Sequence, residues 1–138
     1  MPGISKMKNL IIVTGGAGFV GSNLIELLLK KTKYQIISLD NYSSGSKKNH
    51  VKNKRVKYLK GHTLEIQKIL NKYKKNIKCI FHFGEFSRIY QSFRKFNECY
   101  QSNSIGSQAV FKFCLDNKIK LTFNYKITNF SIYKTLHC

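Results

Sequence analysis

The chain has 138 residues, enough for one domain whose single core buries about two-thirds of the surface exposed on unfolding. Its formal charge of +19 sets 25 basic residues against 6 acidic ones, but only Arg55, Arg88 and Arg94 are arginines, so lysines on a solvated face fit the balance better than a nucleic-acid surface does. No apolar run approaches the roughly 18 residues of a membrane span, and the segment before Gly15 is too short for a secretion signal, which makes the cytoplasm the expected setting.

The first expected strand, residues 10–14, is the continuous aliphatic run of a buried parallel strand. Gly15, Gly18 and Gly21 follow at every third position, and a helix opens near Gly18, with Leu24, Leu27 and Leu28 at helical spacing. Strand, glycine turn and helix in this order predict a site for a dinucleotide pyrophosphate. The glycines let the backbone approach the anion, and the helix start offers it N–H groups and a positive dipole end. The rival phosphate loop, GxxxxGK[ST], nearly fits residues 16–21 but fails because Ser22 and Asn23 follow where a lysine is needed. A second strand, residues 35–39, runs into Asp40, about 20 residues past the turn, where a carboxylate accepts hydrogen bonds from an adenosine ribose.

Residues 40–54 are polar and lysine-rich, the composition of a mobile loop beside the ligand crevice. Further strands are expected at residues 56–59, 77–82 and 120–123. Between them, residues 64–73 place Leu64, Ile66, Ile69, Leu70 and Tyr73 mainly on one helical face. Residues 103–117 do the same with Ile105, Ala109, Val110, Phe113 and Cys114. Strands alternating with helices imply a parallel sheet. Cys79, Cys99, Cys114 and Cys138 lack metal-ligand spacing and read as idle thiols, with no metal site.

Four segments in order resemble one family over residues 8–121: TGGAGFVGS from Thr14, LDNYSSG from Leu39, Phe81-His82-Phe83-Gly84, and Asn103-Ser104-Ile105-Gly106-Ser107. They are similar to the extended short-chain dehydrogenase/reductases, specifically the NAD-dependent nucleotide-sugar epimerases and dehydratases of UDP-glucose 4-epimerase-like type. The resemblance implies NAD as cofactor, held by Gly15, Gly18, Phe19, Val20, Gly21, Asp40, Asn41 and His82. Three departures stand out. Gly61-His62 replaces the family's Gly-Asp, whose carboxylate contacts the adenine amine. Glu85 replaces a small apolar residue beside the nicotinamide and is expected to turn outward. The family's proton-transfer pair, Y-x-x-x-K, is absent from the sequence. Tyr90 with Arg94 comes nearest but lies too early in the chain, and Thr128 and Ser131 only approximate the usual hydroxyl, so no catalytic residue is assigned.

The expected fold is therefore an incomplete doubly wound, Rossmann-type α/β sheet of five parallel strands in order 3-2-1-4-5, with the substrate domain absent. Residues 1–121 read as a partial NAD-binding domain and residues 122–138 as a divergent tail left by truncation or frameshift. The fifth strand would then be an exposed edge and the stability marginal. The functional expectation is the NAD-binding N-terminal portion of a nucleotide-sugar epimerase or dehydratase, catalytically incompetent alone. The alternative is a non-catalytic dinucleotide-binding module. A nucleotide sugar would be a partner only in a full-length relative, and neither nucleic acid nor membrane is expected as a partner.

Overall fold

The computed structural model describes residues 9–85, 93–127 and 130–136, with side chains up to residue 122. Tyr90, Thr128 and Cys138, weighed above, lie outside the described residues, as does the side chain of Ser131.

Strand β1 (Leu10–Thr14) is buried from end to end, as LIIVT requires of a strand covered on both faces. Parallel to it lie β2 (Gln35–Asp40) on one side and β4 (Ile77–His82) on the other. Beyond these, β3 (Val56–Lys60) pairs with β2 and β5 (Lys120–Ile127) with β4, which gives the expected order 3-2-1-4-5. The order reverses at β1, so the ends of β2 and β4 flank the end of β1, and Thr14 is in register with both Leu39 and His82. That reversal opens a crevice at the carboxyl ends of the strands.

The exposed fifth-strand edge is corrected by a sixth strand, β6 (Phe130–Leu136), which pairs antiparallel with β5, Ile127 opposite Phe130. Residues 130–136 read FSIYKTL, rich in β-branched and aromatic types, and only two residues separate them from β5. That is enough for a hairpin and far too few for a parallel crossover.

Each face of the sheet has its own core. Helix α1 (Phe19–Lys31) sets Ile25 against Ile11, Val13 and Ile36. Leu27, placed on the inner spacing by the sequence, is half exposed instead. On the opposite face Ile12, Ile37, Leu39 and Ile80 meet Ile66, Leu70, Tyr73, Val110 and Phe113. The helix expected over residues 64–73 is only one α-turn long, α2 (Ile66–Leu70), flanked by 3-10 turns at Thr63–Glu65 and Asn71–Asn76. The later helix starts earlier than expected: α3 (Phe96–Tyr100) passes through a π-helical turn, Gln101–Gly106, into α4 (Ser107–Asn117). Lys118 ends it in the left-handed region, φ 54°.

The segment after β2, expected to be mobile, is tied down instead. Ser46 N and Asn49 Nδ2 both donate to Ala17 O, at 3.0 and 2.8 Å. The His50 ring stacks on Tyr58 at 3.6 Å between centroids, and its Nε2 meets Tyr42 Oη at 2.8 Å. Lysines and asparagines masked this order in the sequence because the bonds run through backbone and ring contacts far apart in the chain. Among the described residues Cys79, Cys99 and Cys114 form no disulfide, no three metal-ligating side chains gather, and no helix is long and apolar enough to cross a membrane.

Candidate functional site

The crevice is a trough of about 360 Å³, and all eight residues singled out by the sequence line it: Gly15, Gly18, Phe19, Val20, Gly21, Asp40, Asn41 and His82. Its middle is the head of α1. Gly15 has φ 71°, and a side chain there would strike Phe83 O at 2.6 Å, so both backbone angle and space require glycine. At Gly21 an added Cβ would fall 2.2 Å from Gly15 O, which shows how tightly the helix folds back on the turn. Gly18 caps α1 without any side-chain hydrogen bond, and the first amides of a helix have no intrahelical acceptor. Phe19, Val20 and Gly21 all line the trough, so the first-turn amides lie along it with no side-chain oxygen capping the helix.

Asp40 closes one end. Its carboxylate is buried, with Oδ2 accepting from Ala17 N at 3.0 Å and Oδ1 from Tyr42 N at 2.8 Å. The same side chain thus braces the glycine turn and keeps lone pairs available to a hydroxyl. Asn41 lies beside it, its Oδ1 accepting from Ser43 N at 3.0 Å. Next to Asp40, His62 caps the 3-10 turn at Thr63–Glu65, Nδ1 accepting from Leu64 N at 3.1 Å. Histidine at this departure from the family pattern thus supplies the acceptor a helix start needs. Thr63 Oγ1, also in the lining, is buried with no hydrogen-bond partner among the described residues.

The opposite end is built around His82, buried at the end of β4. Its Nδ1 lies 2.6 Å from Thr14 Oγ1 and its Nε2 2.8 Å from Ser107 Oγ. Thr14 Oγ1 already accepts from Phe83 N and Gly84 N, both at 3.1 Å, so its own proton points at Nδ1 and the imidazole hydrogen sits on Nε2. Burial pushes the His82 pKa down to about 4, keeping the ring neutral. Both nitrogens are thus spent inside the fold, and His82 shapes the trough by position.

The relay continues from Ser107, whose Oγ donates to Glu85 Oε1 at 3.4 Å. Glu85 was expected to turn outward; the residue is exposed as a whole, yet it is part of the trough lining and its Oε1 is engaged by Ser107. The Ser107 hydroxyl supplies the inward anchor, and desolvation there raises the Glu85 pKa against the opposing pull of that hydrogen bond. Asp40 and Glu85 are the charged side chains among the described residues of the lining, which holds no lysine or arginine. Sequence reading missed Thr14, Thr63 and Ser107. Thr14 and Ser107 sit within motifs quoted for other members, so their roles emerge only when β1, β4 and α4 are brought together.

A family described as "NAD dependent epimerase/dehydratase family" matches residues 11–130. Among curated proteins, the dTDP-D-glucose 4,6-dehydratase of Dictyostelium discoideum is 31% identical over 116 residues, covering 80% of this chain and 27% of that protein. The UDP-glucose 4-epimerase of Pasteurella multocida is 32% identical over 103 residues, covering 70% and 30%. The chain thus spans less than a third of the length of either. An epimerase structure from Methanothermobacter thermautotrophicus superposes with a TM-score of 0.74 at 26% identity, covering 84% of this chain and 34% of that one. A UDP-glucose 4-epimerase from Brucella ovis, solved in complex with NAD, shares the fold with a TM-score of 0.72 at 24% identity, covering 83% and 35%.

Proposed function

Because the chain belongs to the NAD dependent epimerase/dehydratase family, we propose that its trough binds NAD and that residues 1–121 are the cofactor-binding portion of a nucleotide-sugar epimerase or dehydratase of UDP-glucose 4-epimerase-like type. The observation that carries this reading is the uncapped head of α1, flanked in one trough by a buried, oriented Asp40. The amides of Phe19, Val20 and Gly21 would take the diphosphate, aided by the helix dipole. Asp40, helped by Asn41, would accept from the adenosine ribose hydroxyls. His82 would hold the β4 wall through Thr14 and Ser107. When bound, a nicotinamide supplies hydride acceptance from a sugar carbinol.

Proton transfer is where this chain falls short. A phenol with an unperturbed pKa of about 10 needs a neighbouring cation to act as a base near neutrality, and the sequence has no Y-x-x-x-K to provide the pair. The neutral His82 is sealed between Thr14 and Ser107 and offers no substitute. The chain by itself is therefore expected to bind without turning over.

Calorimetric titration with NAD, followed by incubation of the complex with UDP-glucose, tests both halves. Saturable one-to-one binding with no epimer formed is the expected result. Epimer formation would restore a catalytic role to the chain, and failure to bind NAD would remove the proposal.

A further inference from the structure

We propose that Glu85 makes the trough prefer the oxidised, cationic form of a nicotinamide dinucleotide over the reduced form. The inference rests on the NAD-binding reading and assigns its redox preference to one side chain. The sheet order sets the direction of the ligand: β2 and β4 lie on opposite sides of β1, so Asp40 and Glu85 stand at opposite ends of the trough with the head of α1 between them. A dinucleotide with its adenosine ribose on Asp40 and its diphosphate on α1 must send its other nucleoside toward the end of β4.

At that end the carboxylate is held inward by Ser107 Oγ at 3.4 Å, and Ser107 is itself fixed by His82 Nε2 at 2.8 Å. The backbone is fixed as well, with Glu85 N donating to Phe83 O at 2.8 Å and Ser102 Oγ to Gly84 O at 3.3 Å. No lysine or arginine among the described lining residues neutralises the acid, and His82 is uncharged. Oxidised and reduced cofactors carry the same phosphates and riboses. They differ in the ring, which is cationic in one and neutral in the other, so a carboxylate beside it favours the oxidised form. In a partly desolvated trough this charge–charge attraction is larger than in bulk water.

The test is titration of the full chain with NAD and with NADH, for the unaltered protein and for Glu85→Gln and Glu85→Lys. Glutamine keeps the shape and the acceptor for Ser107 while removing the charge. Its expected effect is about a tenfold fall in the NADH-to-NAD ratio of dissociation constants, about 30 mV for a two-electron couple, with NADH affinity nearly unchanged. Lysine is expected to move the ratio further the same way. Equal ratios in all three proteins, each still binding both cofactors, would overturn the assignment to Glu85 while leaving the NAD-binding reading intact. Failure of the unaltered chain to bind either cofactor would overturn both.

Discussion

A buried imidazole with both nitrogens engaged is a structural device with a measurable pH signature. In the fold the His82 pKa is lowered to about 4, below the 6.5 of an unperturbed histidine. Above about pH 6.5 both folded and unfolded chains are neutral at this residue, and its contribution to stability is fully present. As the pH falls toward 4 the unfolded chain takes up a proton that the folded one refuses, so stability is lost, by about 3 kcal/mol in all. Urea unfolding from pH 7 to pH 4 is expected to show that loss in the unaltered protein and not in His82→Asn. Parallel pH profiles would refute it. At this scale the sequence was legible where a motif carries the chemistry: the spacing of the glycines and the place of Asp40 at the end of the second apolar run mark the site without any knowledge of what they touch. The inward turn of Glu85 was not legible, because its anchor, Ser107, lies on a helix 22 residues further on.

Helix α1 shows how an element can be secured by a residue far from it. Its C-terminal carbonyls lack intrahelical donors, and Arg55, just before β3, supplies them: Nη2 donates to Leu29 O at 2.5 Å and Nη1 to Thr32 O at 2.7 Å. One of the three arginines is thereby committed to the fold. Arg55→Ala is expected to cost about 1–3 kcal/mol, from lost charge-assisted bonds at a helix end. Denaturant titration would check it, and a midpoint unchanged from the unaltered protein would mean the contact contributes nothing. Strand positions were readable because the apolar runs are long and clean. Helical lengths were not: Ile66, Leu70 and Tyr73 mark a buried face equally well for an α-helix or for the 3-10 segments that surround α2.

Across the whole molecule the charge is poorly compensated. The ion pairs among the described residues are Lys95–Glu98 at 3.5 Å and Lys112–Asp116 at 2.8 Å, both exposed and worth little individually. With a formal net charge of +19, self-repulsion opposes compaction. Raising the salt from about 0.01 to about 0.1 M shortens the Debye length from about 30 to about 10 Å, and Tm is expected to rise. A scanning fluorimetry series would reveal this, and a Tm that holds constant or falls would argue against it. The parallel order 3-2-1-4-5 was legible because alternating strand and helix leave few topologies. The antiparallel β6 was not, since its seven residues carry no turn signal that fixes their partner.

Ala17 gives the design of the trough a practical consequence. Its N–H is held by Asp40, and its carbonyl receives both Ser46 and Asn49. An engineer wishing to admit a cofactor with an extra phosphate on its ribose would first replace Asp40, and in doing so would strip an acceptor from the turn proposed to take the diphosphate. On the proposed reading, nucleoside choice and anion grip are inherited as one trait. A redesign of the first succeeds only if a new acceptor for that amide is installed alongside it.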